Sequence, residues 1–229
     1  MTFDERTAPS IAMHVILTAR EQDHPDHYPA WSPLGWFRNV RGMQGDVENH
    51  YHDIPEAWIW HEGSAFGIIA GAPVELTPGT AVYLPPGCLH SYAAHGRHSN
   101  TGIAPRRGAA MRAGHLHPEE TGESPSPASA PVHLPPHENT AERPGELPQG
   151  SFLRNIYSGW FPAGAPIWRG TCAAWMALLI RTGGAEGIAG PHPFVLGEGD
   201  ALIVQAGTDW QLAAGSDSDI AFAIGWPES

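Results

Sequence analysis

The chain has 229 residues, enough for one large β-rich domain or two small ones, and its 41% hydrophobic and 9% aromatic content excludes wholesale disorder. The formal net charge of -12, from 24 acidic and 12 basic residues, repels phosphate backbones and anionic lipid, so neither nucleic acid nor membrane is expected as a partner. Every basic residue is an arginine, which removes Schiff-base and P-loop lysines, while 14 histidines supply the commonest metal ligand.

Taken in chain order, the opening MTFDERTAPS lacks the basic flank of a signal peptide, and the apolar IAMHVIL behind it is short and carries a histidine. Residues 7–21 are expected to hold a short helix or strand. Residues 1–95 are rich in Trp, Tyr and β-branched side chains broken by Gly and Pro, the pattern of short strands joined by turns. Residues 96–150 contain no Phe, Trp or Tyr and include GESPSPASAP, so they are read as a linker or surface insertion. Residues 151–229 return to strand, turn, strand with WMALLI, FVLGEGDALIVQAGTDW and AFAIGW. The longest apolar run, residues 173–180, is far too short to span a bilayer. The two cysteines, Cys88 and Cys172, form no CxxC pair, so a disulfide framework is excluded and a cytoplasmic location is expected.

The spacing of turns predicts an all-β sandwich or barrel, and a faint repeat predicts two copies of it. Residues 79–90 read GTAVYLPPGCLH and residues 199–210 read GDALIVQAGTDW. Each has a leading Gly, an apolar strand, a second Gly eight positions on, and a distinctive residue three further.

Chemistry concentrates in the first copy. Gly45 is followed by DVEN, His50, Tyr51, His52, DIP and Glu56, and Gly63 closes the strand. Histidines at i and i+2 on an extended strand share a face, and the Pro85-Pro86-Gly87 corner presents His90 at a fixed angle. Strand parity puts Glu56, Trp58 and Trp60 on one face and His90 and Tyr92 on another, which predicts an aromatic pocket for a small substrate.

These strings resemble the two motifs of the cupin superfamily, G-x5-H-x-H-x3,4-E-x6-G and G-x5-P-x-G-x2-H-x3-N, over residues 45–94. Two departures occur: four residues rather than five separate Gly45 from His50, and Ala94 replaces the terminal Asn. The resemblance implies two small cupin (jelly-roll-like) β-barrels, with His50, His52, Glu56 and His90 holding one divalent metal in the first. Fe(II) is favoured, and Mn, Ni, Zn and Cu suit the same donors. The second copy has lost its ligands, with Trp210 where the last histidine would stand and Gln205 in place of the first proline. It is therefore expected to be metal-free and to pack against the first barrel or form a homodimer. The cluster His115-Leu116-His117-Pro118-Glu119-Glu120 is read as a solvated loop, with a lid or accessory metal site as the alternative. Arg38, Arg41 and Arg154 are read as surface arginines, with a carboxylate anchor as the alternative. The expected function is a metal-dependent enzyme on a small organic metabolite, most readily an O2-dependent oxygenase with Glu56 as ligand or base. A non-redox isomerase, cyclase or lyase, or a non-catalytic binding module, fits the same motifs.

Overall fold

The structure is a computed structural model and describes residues 14–108, 111–112 and 114–227. Its strands are β1 (His14–Leu17), β2 (Leu34–Met43), β3 (Val47–His50), β4 (Glu56–Glu62), β5 (Ala65–Ile69), β6 (Ala72–Leu76), β7 (Ala81–Leu84), β8 (His90–Ala94) and β9 (His98–Pro105). They continue with β10 (Val132–Leu134), β11 (Gly145–Glu146), β12 (Asn155–Phe161), β13 (Pro166–Thr171), β14 (Met176–Thr182), β15 (Gly184–Ala189), β16 (His192–Gly197), β17 (Ala201–Val204), β18 (Asp209–Ala214) and β19 (Ser218–Ile224). No helix among the described residues is long and apolar enough to cross a membrane.

The strands form two all-β barrels. A five-stranded sheet, β10-β7-β4-β9-β2, faces a four-stranded sheet, β3-β8-β5-β6. A six-stranded sheet, β1-β17-β14-β19-β12-β11, faces a second four-stranded one, β13-β18-β15-β16. The two larger sheets stack on each other, and this stacking explains the near-continuous apolar runs, because a strand covered on both faces has no polar side to show. In β4, Ala57 and Ile59 enter a core shared by both barrels, while Trp58 and Trp60 point into the first barrel. In β14, Ala177 and Leu179 enter that shared core and Met176, Leu178 and Ile180 fill the second barrel. Burying one such Leu or Ile contributes about 1.5–3 kcal/mol. The second barrel thus packs against the first.

The repeat runs through both barrels. Ile69 faces His90 across β5 and β8, and Ala189 faces Trp210 across β15 and β18. The same offset relates Gly63 to Gly183, both at positive φ (69° and 81°), where a side chain would collide with the carbonyls of Arg97 and Asp217 respectively.

Two segments depart from the sequence reading. His98–Pro105, in the stretch read as an insertion, pairs with both β2 and β4 in the middle of its sheet. Its core residues are Ile103 and Ala104, so the absence of aromatics concealed a strand that is wholly interior. Further along, Ala128 donates to the Pro86 carbonyl at 3.0 Å and β10 pairs with β7, which ties the Pro-rich stretch to the first barrel. At the other end, β1 pairs with β17 and so belongs to the second barrel's sheet. The part of residues 7–21 before His14 lies outside the described residues.

Candidate metal centre

β3 ends on His50, which lies directly opposite His90 at the start of β8, across an irregularity in the register between Val47 and His50. Two residues on, the carbonyl of His52 accepts from the Gly87 amide at 2.8 Å, so the Pro-Pro-Gly corner is fastened to the strand that carries the first two histidines. Gly87 has φ 74°, and a side chain there would run into the Ser126 carbonyl. Through this local bonding, the sequence brings His50, His52 and His90 together.

Ring centroids lie 4.9 Å apart for His50 and His52, 4.1 Å for His50 and His90, and 5.4 Å for His52 and His90. One nitrogen from each can be chosen so that all three lie within 4.8 Å of one another. Each Nδ1 donates to a backbone carbonyl: His50 to Glu48 at 2.8 Å, His52 to Gly114 at 3.0 Å, and His90 to Cys88 at 2.8 Å. That bonding fixes the tautomer and leaves every Nε2 lone pair free. The Nε2 of His90 is buried without a hydrogen-bond partner, a state that costs free energy unless an electrophile takes the lone pair. Three imidazoles converging in this way fit a divalent metal, which binds them in their neutral form.

Glu56, at the start of β4, is fully enclosed, with Oε2 3.3 Å from His52 Nε2 and 3.9 Å from His90 Nε2. It stands against two of the three histidines and outside the three-histidine cluster itself. Burial raises its carboxyl, but His52 and His90 outweigh burial and bring it down to about 2. His52 is lowered by burial, yet Glu56 and the Gly114 carbonyl raise it on balance. His50 falls to about 3 and His90 to about 4, both chiefly through burial, with the neighbouring imidazoles adding to it.

The aromatic residues divide. Trp58 and Tyr92 line a 100 Å³ cavity with His50 and Glu56, and Trp58 meets His90 edge-on at 5.2 Å. Trp60 lies deeper, stacked on His98 at 4.9 Å with its Nε1 donating to the Gly63 carbonyl, and is barrel filling rather than cavity wall. Tyr92 Oη is 3.1 Å from His98 Nε2, within the same deep layer. Cys88 is buried and supplies its carbonyl, while its thiol is pushed up to about 11 by burial.

Residues read as a solvated loop lie against this site. Leu116 exchanges backbone hydrogen bonds with Tyr51, His117 Nδ1 is 3.2 Å from the Asn49 carbonyl, and the His115 ring stacks on His50 at 4.0 Å. Arg112 anchors the segment to Asp53 and Glu123. The H-x-H pattern was the one signal in the sequence. Without the backbone pairing to Tyr51, nothing in it placed those rings beside His50.

The model of the AraC-like ligand binding domain matches residues 39–145, the span that holds all these side chains. No curated protein matches the sequence. Among solved structures, the bacterial pirin YhhW from Escherichia coli, in complex with nickel(II), is similar over 94% of this chain and 100% of its own, with TM-score 0.61 and 14% identity. A salicylate 1,2-dioxygenase from Pseudaminobacter salicylatoxidans is similar over 93% and 84%, with TM-score 0.56 and 12% identity. AerE from Microcystis aeruginosa covers 81% and 84%, with TM-score 0.56 and 12% identity. The chain has the fold of the cupins. In it the two motif strings meet at one end of the first barrel. The matching positions of the second barrel are Gly170, Cys172, Met176 and Trp210, which provide no imidazole.

Proposed function

We propose that this protein is a mononuclear metal enzyme that acts on a small organic molecule, with His50, His52 and His90 as ligands and Glu56 as a further ligand or as proton acceptor. The observation that supports it is the set of three Nδ1–H bonds to carbonyls, which leaves each Nε2 free for a metal in a cluster whose ligand atoms lie within 4.8 Å of one another. A metal bound there supplies Lewis acidity and, with Fe(II), a site where O2 and substrate meet. The chain's own residues do the rest. Glu56, held ionised by its histidine neighbours, accepts a proton from a substrate in the adjoining cavity. Trp58 and Tyr92 exclude bulk water from that cavity.

Within this reading O2-dependent oxidation at Fe(II) ranks first, supported by the likeness in fold to a salicylate 1,2-dioxygenase. A non-redox isomerase, cyclase or lyase uses the same four residues. A homodimer in the cytoplasm belongs to the same proposal, with light scattering as its check. A second reading, ligand binding without turnover, is favoured by the match to the AraC-like ligand binding domain. Substrate depletion with and without O2 separates the three. Turnover with matched O2 consumption supports the oxygenase, undiminished turnover under argon leaves Lewis-acid chemistry, and saturable binding with no turnover leaves the sensor.

A further inference from the structure

Two cavities meet at the mouth of the first barrel. The outer one, of 440 Å³, is bounded by residues such as Pro25, Arg106 and His52. The inner one, of 100 Å³, reaches His50, Glu56 and Trp58. Trp36, Arg38 and His115 line both, so they form the neck through which anything in the outer cavity approaches the histidines.

We propose that this neck is a carboxylate-binding site anchored by Arg38, and that the protein's ligand is a small organic acid whose reacting group lies a few bonds from its carboxylate. Arg38 lies on β2, opposite Gly102 of β9, which brings its side chain to the barrel mouth. Its guanidinium lies over the Trp36 ring at 4.3 Å, which fixes the plane, and Nη1 donates to Asp23 Oδ1 at 2.8 Å. Its Nε is buried and has no hydrogen-bond partner. In a guanidinium, Nε and Nη2 form the edge that grips a carboxylate with two parallel hydrogen bonds, and Asp23 occupies the other side. The Arg38 side chain keeps 37% of its surface exposed at the neck, so this unpaired edge, seated on an indole, is open to an anion with two oxygens.

Of the three arginines that line the outer cavity, Arg38, Arg106 and Arg107, only Arg38 also lines the inner one. Arg106 spends its donors on the carbonyls of Tyr28, Pro29 and Ser32. Asp23 and Asp26 repel an anion from the outer rim, which leaves the neck as the place where it is held. The inner cavity admits only a few non-hydrogen atoms, so with the carboxylate at the neck, the group that reaches the histidines must be its near neighbour. The inference deepens the metal-enzyme reading and rests on it for the chemistry, but the anion site has its own readout.

The test is calorimetric titration of the full chain, loaded with Zn(II), with benzoate, 2-hydroxybenzoate and 2-oxobutanoate and with the uncharged benzamide. At least one carboxylate should bind tenfold or more tightly than benzamide. Arg38→Met should weaken that binding at least tenfold with the metal content unchanged, and Arg38→Lys should recover part of it. Binding that is indifferent to charge, a Kd for Arg38→Met within twofold of the parent, or no binding by any of the three acids would overturn the proposal. If Arg38→Met does not fold, Asp23→Asn decides, because removing the competing carboxylate should tighten binding and an unchanged or weaker Kd would refute the site. Carboxylate binding that persists in protein unable to hold metal would retain the anion site and reject the metal-enzyme reading instead.

Discussion

Trp210 Nε1 donates to Cys172 Sγ at 2.8 Å, and the two residues occupy the positions that His90 and His52 occupy in the first barrel. The indole is almost wholly buried and stacks on Trp168 at 5.8 Å, so it fills the space that the first barrel devotes to its histidines. Trp210→Ala should therefore cost about 3–5 kcal/mol of stability, as for other large aromatic residues removed from a core. Denaturant unfolding measures it, and a loss under about 1 kcal/mol would mean that the second barrel collapses around the gap.

Proton competition at the metal centre should come from one histidine. His50 and His90, at about 3 and 4, are already neutral near neutral pH, whereas His52 is raised above its ordinary 6.5 by Glu56 and the Gly114 carbonyl, which outweigh burial. As pH falls through the raised value of His52, Zn(II) affinity should drop about tenfold per pH unit, the slope of a single proton. Competition titrations between about pH 8 and pH 5.5 follow it. A slope of two or three protons would show that the other imidazoles are not held neutral.

Stability of the metal-free protein should carry the opposite mark of the same histidines. His50 and His90 are depressed, as is His61, buried between the barrels, so below about 6.5 the unfolded chain binds protons that the folded chain refuses. Their contribution is complete above about pH 6.5 and is lost as pH falls toward about 3 to 4, by up to ~1.4 kcal/mol per pH unit for each histidine. Denaturant midpoints on metal-free protein test this, and a midpoint constant from about pH 7 to pH 5 would contradict it.

The all-β class, the two barrels and the meeting of three histidines were legible because each rests on local spacing. His50 and His52 share a face by strand parity, and His90 follows a Pro-Pro-Gly corner whose geometry is set by φ. What stayed hidden depends on long-range pairing. Trp60 shares parity with Trp58, yet depth along the strand puts it beyond the cavity. His115 reaches His50 only because Leu116 pairs with Tyr51, and Arg38 reaches the neck only because β2 lies beside β9. Composition likewise misread His98–Pro105, whose small residues pack between two larger strands.

The shared core makes the barrels interdependent. Ile59 of β4 and Ile203 of β17 are fully buried in it, and each Ile→Ala substitution should cost about 2–5 kcal/mol. Truncation after residue 150 would expose Ala57, Ile59, Tyr83 and Ile103 at once, and the fragment should aggregate. Size-exclusion chromatography decides, since a monomeric, folded fragment would show that the first barrel needs no cover.

The most direct measurement is the metal content of protein purified without added metal, with X-ray absorption to identify the ligand atoms. The account predicts one divalent metal per chain with imidazole nitrogens around it. It also predicts loss of that metal in His50→Ala, His52→Ala and His90→Ala, with retention in His115→Ala and His192→Ala. Full metal occupancy in a His50→Ala/His90→Ala double variant would contradict the account.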